Sequence, residues 1–179
     1  MKITRMARNQ KGFTLVELML VVVLGGAIIA TVIIAAPRVK AGIQADKDMN
    51  TIPDIMANVQ GHYSLKPSFN GLTNTIANSY KLIPDDMNGG AGTITNRYGG
   101  AVTLAPATVT AADDSFSISY GGVPSRVCLK VVPQLSPQFL NVSVNGTVVK
   151  ATGGALNETT AATQCNSTEA NTLFFTASK

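Results

Sequence analysis

Few residues in this chain could do chemistry, and each stands in a setting that narrows what it could do. Glu17 is the only charge among the 24 residues from Phe13 to Ala36. A carboxylate in such a run either reaches an interface or waits for a cation from elsewhere. Cys128 and Cys165 are the only cysteines and His62 the only histidine. In an exported chain two cysteines read as one disulfide. A redox or metal-binding pair would need companions, and one histidine supplies few. His62 with an acid and a serine has no nucleophile motif around it and reads as a structural or solvent-facing residue. Asp85-Asp86 and Asp113-Asp114 lack the alternating oxygen spacing of a calcium loop and read as turns or caps. Asn88-Gly89-Gly90-Ala91-Gly92 is followed by no Lys-Ser/Thr pair, so it does not read as a phosphate cradle. The sequence predicts no catalytic set, no metal and no cofactor.

The element that must position Glu17 is the apolar run itself. At about 1.5 Å per residue it spans roughly 36 Å as a helix, enough for a bilayer core of about 30 Å. Upstream lies a basic leader, Lys2, Arg5, Arg8 and Lys11, with no acid. A secretory signal peptide has the same order of regions. Here the apolar run is long, and Pro37 directly after Ala35-Ala36 makes a poor signal-peptidase site. By the positive-inside rule the leader stays cytoplasmic and the rest lies outside. The leader also holds four of the fourteen Lys and Arg, so the remainder carries ten bases against ten acids. That balance, with no cationic cluster, removes the electrostatic case for nucleic-acid binding.

Gly12-Phe13-Thr14-Leu15-Val16-Glu17 after a short basic leader resembles the processing site of type IV prepilins and related pseudopilins. The resemblance implies that a membrane-embedded prepilin peptidase cuts between Gly12 and Phe13 and methylates the new amine on Phe13. Glu17 then becomes the fifth residue of the mature chain and neutralises the N-terminal amine of a neighbouring subunit. Physically, an α-amine with a reference pKa of about 7.7–8.0 is largely cationic at neutral pH. Pairing offsets part of the desolvation cost of both ions. Gly25, Gly26 and Pro37 are the weak points of the helix. They read either as ordinary tolerance and close helix packing or as a segment that extends when subunits bundle. Gly26 matches a glycine of pilin helices, whereas Pro37 lies three residues later than the commonest proline position.

Beyond the apolar run, residues 38–62 read as an amphipathic continuation of the helix. Its apolar members are Val39, Ile43, Ile52, Ile55, Met56 and Val59, set among Lys40, Gln44, Asp46, Lys47, Asp48, Asn50 and Asp54. Pro53 either kinks it or starts a new helix capped by Thr51 or Asn50. A short helix is expected over Leu72–Leu82. Strands are expected at Ala101–Leu104, Ser115–Tyr120, Val127–Val132, Leu140–Val149 and Thr172–Thr176. Asn145-Gly146 is a type I′ hairpin signal. These expectations place Cys128 in a strand and Cys165 in a polar loop. A bond between them closes a loop of about 38 residues, worth roughly 4 kcal/mol by chain entropy. Asn141, Asn145, Asn157 and Asn166 sit in Asn-X-Ser/Thr sequons, which need not be acceptors in a bacterium.

Together these predict an α+β protein, an antiparallel sheet packed on a long first helix. A disulfide-closed C-terminal region also belongs to the pilin resemblance. Asn96-Arg97-Tyr98-Gly99-Gly100 and Val123-Pro124-Ser125-Arg126-Val127-Cys128 look most like the type IVb class of thin conjugative and enteric pili. The resemblance implies a leader (1–12), a membrane and filament-core helix (13–37), its amphipathic continuation (38–62) and a pilin head (63–179). It implies a structural subunit that polymerises with itself into a surface filament for adhesion, aggregation or mating contact. Its partners would be the peptidase, an inner-membrane platform with an ATPase, an outer-membrane secretin, and the membrane before assembly. Single-pass insertion with a periplasmic C-terminal domain would precede export. A type II secretion pseudopilin and a minor pilin acting as tip adhesin are the alternatives.

Overall fold

The computed structural model describes residues 13–179, apart from the side chains of residues 27–38. The chain divides into two units, one reaching to Val39 and one from Lys40 to Lys179. The first helix, α1 (Leu15–Tyr63), contributes to both. Its start is set locally. Thr14 Oγ1 accepts the Glu17 N–H at 3.3 Å, one half of a Ser/Thr-x-x-Glu capping box. Glu17 in the first turn also suits the positive end of the helix dipole.

In the second unit α1 buries Ala45, Asp48, Ile52, Ile55, Val59 and Tyr63. Steps of three and four keep these six on one face. Val39 and Ile43, expected in that stripe, are 61% and 54% exposed. Ile43 lies two positions before Ala45, about 200° round the helix, and so faces away. The assigned helix runs through Pro53 without a new start, and the expected Thr51 cap is not used. Thr51 Oγ1 instead accepts from Arg97 Nη2 at 3.2 Å.

α2 (Asn74–Ser79) is shorter than the expected Leu72–Leu82. Thr73 caps it by accepting the Ile76 N–H, and Lys81 at φ 52° prevents its continuation. The sheet is five-stranded and antiparallel, in the order β1-β2-β5-β3-β4. Its strands are β1 (Val102–Ala107), β2 (Ser115–Val123), β3 (Asn141–Val144), β4 (Thr147–Lys150) and β5 (Asn171–Ser178). The last strand is therefore the central one. Phe116, Ile118 and Tyr120 alternate inward on β2, as do Leu173, Phe175 and Ala177 on β5. Asn145 and Gly146 both take positive φ (52° and 83°), the type I′ turn that matches strand twist. At the free edge of β1, Asn74 donates to the Val102 carbonyl and accepts from the Leu104 N–H. That blunts a strand edge otherwise open to pairing.

Residues 127–132, expected as a strand, are helical within α3 (Ser125–Leu135). The buried positions Val127, Cys128, Val131, Val132 and Leu135 follow a period near 3.6, which overrides the β propensity of the valines. Cys165, expected in a loop, lies in α4 (Glu158–Asn166), capped by Asn157.

Candidate functional site

The N-terminal part of α1 presents apolar side chains in every direction. Phe13, Leu15, Val16 and each residue from Leu18 to Leu24 are exposed. A helix apolar all round belongs in a membrane or in a core. Among the described residues no helix is long and apolar enough to cross a membrane. The side chains of residues 27–38, in the second half of the apolar run, lie outside that description. Phe13 and Glu17 are both exposed and accessible to a partner. Gly12 lies outside the described residues, as does the leader. Gly25, Gly26 and Pro37 fall within α1.

The second unit contains a charged centre that the sequence reading placed on a solvated face. Asp48 is 1% exposed. Its Oδ1 accepts from Arg97 Nε and from the Tyr120 hydroxyl, each at 2.9 Å. Its Oδ2 accepts from the Tyr98 hydroxyl at 2.5 Å. Three donors, one of them cationic, compensate the loss of water around a buried carboxylate. Burial, then the Asp48 carboxylate, pushes both tyrosines well above the ordinary phenolic range. For Arg97, burial is the largest single influence and pulls downward, but the charges and hydrogen bonds of Asp48 and Tyr120 together outweigh it and the net shift is upward.

The 96–100 segment is built to deliver two of those donors. Asn96 Oδ1 accepts the Tyr98 and Gly100 N–H groups at 3.0 Å, and its amide donates to the Gly121 carbonyl at 2.6 Å. Gly100 passes so close to the Gly121 carbonyl that a Cβ there would collide with backbone. Spacing could have exposed Asp48. It lies three residues after Ala45 and four before Ile52, on the apolar stripe itself.

Cys128 and Cys165 form a disulfide with Cα atoms 5.5 Å apart, and both are buried. The bond joins α3 to α4. It ties the C-terminal segment to α3 and not to the sheet, because Cys128 is helical where a strand was expected. The last strand is secured separately. Fully buried Asn171 donates to the carbonyls of Val123, Cys165 and Thr168, and accepts from Asn145 Nδ2 at 2.7 Å. Asn145 Oδ1 in turn accepts the Thr172 N–H at 2.9 Å.

The remaining candidates have local structural roles. His62 lies 4.4 Å from the Tyr80 ring and 5.0 Å from that of Tyr63, with Lys66 Nζ 3.1 Å from its Nε2. Asp114 accepts N–H groups of Val109, Thr110 and Ala111 at 2.7–2.9 Å, which hold its carboxyl well below the usual range. Asp85 and Asp86 start a 3-10 turn (Asp85–Met87). Among the described residues no three His, Cys, Asp or Glu side chains gather as metal ligands.

Comparison with known proteins bears on both units. The sequence model of the family described as "PilS N terminal" matches residues 43–178. That of the prokaryotic N-terminal methylation motif matches residues 7–33. No curated protein sequence matches the chain. Among solved structures the fold is similar to the type IV b pilin from Salmonella typhi. The TM-score is 0.58 at 20% identity, covering 75% of this chain and 99% of that one. It is likewise similar to TcpA, a type IV pilin from Vibrio cholerae El Tor biotype. There the TM-score is 0.58 at 17% identity, with the same coverage. At these identities the likeness establishes the fold.

Proposed function

This chain belongs to the PilS family of type IVb pilins, and from that premise we propose how its own residues make a filament. It is a structural subunit of a type IV pilus, made as a membrane-anchored precursor and then assembled outside the cell. Processing is assigned to the Gly12-Phe13 bond, with methylation of the new Phe13 amine. Glu17, four positions on, receives that amine from a neighbouring subunit during assembly. The observation that carries this reading is the apolar stretch from Phe13 to Leu24, exposed along its length with one carboxylate in it. In water such a surface is costly, at about 25 cal/mol per Å² of apolar area. Lipid before assembly and the helices of other copies afterwards both remove that cost.

In this reading the leader stays cytoplasmic and the second unit is periplasmic until an ATPase-driven platform extracts the subunit through a secretin. Residues 13–37 supply the filament core, 38–62 its amphipathic continuation, and 63–179 the exposed surface. Gly25, Gly26 and Pro37 give the core helix room to extend as copies bundle.

Mass spectrometry of material sheared from the cell surface tests the proposal. The expected species begins at Phe13, is one methyl group heavier than the plain chain, and is two hydrogens lighter for the disulfide. Finding Met1–Gly12 attached in every cell fraction would overturn the processing assignment. A processed chain confined to the membrane would overturn export as a filament.

A further inference from the structure

Asparagine is among the chemically labile residues, and most so when glycine follows it. The glycine nitrogen, unhindered by a side chain, can then attack the asparagine amide carbon. The chain has three such pairs, Asn70-Gly71, Asn88-Gly89 and Asn145-Gly146. The fold gives each a different setting.

Two of them are held back. Asn145 Nδ2 bonds with the Gln164 carbonyl at 3.1 Å, Ser167 Oγ at 3.3 Å and Asn171 Oδ1 at 2.7 Å. With Oδ1 held by the Thr172 N–H, both ends of that amide are tied to other elements. Turning its carbon onto the Gly146 nitrogen breaks those bonds. At Asn88-Gly89 the attacking group itself is occupied. The Gly89 N–H donates to the Thr93 carbonyl at 2.9 Å, and Asn88 Oδ1 accepts the Gly90 N–H at 2.9 Å. A Cβ on Gly89 would stand 3.3 Å from the Thr93 carbonyl oxygen, so this glycine has little room to turn.

Asn70-Gly71 has neither restraint. Both residues are exposed. Neither the Asn70 side-chain amide nor the Gly71 N–H has a hydrogen-bond partner among the described residues. They are the central pair of a type II turn, in which the Leu72 N–H donates to the Phe69 carbonyl at 3.1 Å and Gly71 takes φ 82°. Phe69 and Leu72 are buried on either side, which leaves the central pair outward. A Cβ on Gly71 would meet nothing within 4 Å, so the space around the attacking nitrogen is open.

We propose that Asn70 is the site of spontaneous deamidation in this chain, and that the fold withholds Asn88 and Asn145 from the same reaction. The Gly71 nitrogen gives up its proton and bonds to Asn70 Cγ, and the side-chain nitrogen leaves as ammonia. Water then opens the cyclic imide at either carbonyl. One opening gives aspartate, and the other gives a β-linked aspartate with a lengthened backbone. The β-linked product distorts the turn that joins Phe69 to Leu72. Either product adds a carboxylate to a chain whose acids and bases balance beyond the leader. Conversion at this turn therefore records the age of each molecule, in whatever assembly it stands.

The test is peptide mapping by tandem mass spectrometry of the detergent-solubilised full chain, aged folded in mildly alkaline buffer. The same chain is aged in guanidinium chloride with reductant. In the folded sample Asn70 should convert about tenfold or more faster than Asn88 and Asn145, because their hydrogen bonds must break before the ring closes. In denaturant the three should convert at comparable rates. Conversion of Asn88 or Asn145 as fast as Asn70 in the folded chain would overturn the protection. An intact Asn70 in the folded chain, while the denatured sample converts, would overturn the site. If the same order of rates persists in denaturant, neighbouring residues and not the fold set it, and the assignment fails.

Discussion

Asp48 and Tyr120 stand 72 positions apart in the chain, and the tyrosine hydroxyl donates to the carboxylate across 2.9 Å. With Arg97 and Tyr98 on the same carboxylate, one buried acid joins α1, β2 and the 96–100 turn. The second unit is therefore locked to its part of the helix by charge and geometry as well as by apolar contact.

Replacing Asp48 by Asn should destabilise the second unit severely. Arg97 would be left with half-buried charge and a partner that cannot neutralise it. Breaking a buried pair from one side costs about 3–5 kcal/mol. Urea unfolding of the detergent-solubilised chain measures this, and a loss under about 1 kcal/mol would mean that the lock contributes little.

Alkaline pH should loosen the same lock. Tyr98 and Tyr120 are raised above the ordinary phenolic range by burial first and by Asp48 second. A group raised in the fold contributes stability that is fully present below its unfolded pKa, about 10. That stability is lost as pH rises further, because the unfolded chain releases the protons and the folded one does not. The unfolding free energy should fall above about pH 10, with tyrosinate absorbance from these two residues appearing only alongside unfolding. Tyr120→Phe should flatten the alkaline fall while lowering stability at neutral pH by about 1–3 kcal/mol.

Loss of the Cys128–Cys165 bond should weaken the α3–α4 pair. The two positions are 37 residues apart, a separation worth roughly 4 kcal/mol in the chain-entropy account. Cys165→Ser with Cys128→Ser should speed amide exchange in α4 before that in β2 and β5, since the sheet keeps its own ladder. Uniform exchange through sheet and α4 would show that the bond stabilises the whole unit at once.

At the N-terminus, Glu17→Ala should leave processing intact and abolish or cripple filament assembly. Normal filament yield from that variant would remove the docking role. A bulky residue at Gly12 should leave full-length precursor in the membrane, detectable by its unshifted mass.

Asp48 shows the limit of local pattern. Its charge set it among the polar residues of the helix, although its spacing with Ala45 and Ile52 puts it on the buried stripe. Only Arg97, Tyr98 and Tyr120, brought from distant parts of the chain, make burial affordable. Val127–Val132 shows the opposite conflict. Local β propensity suggested a strand, while the period of the buried positions suited a helix packed on the core.

What the sequence determined by itself were features carried by neighbouring residues. They include the apolar run with its lone Glu17, the basic leader, the Asn145-Gly146 turn and the alternation in β2. Helical and pleated periods, turn chemistry and the cost of burying charge all act over a few residues, so each leaves a local trace. The tertiary structure alone decided which strand is central, that the disulfide joins two helices, and that Asp48 is the shared acceptor of three distant donors. Strand order is decided only there, because no local rule specifies which edges of a sheet end up opposite each other.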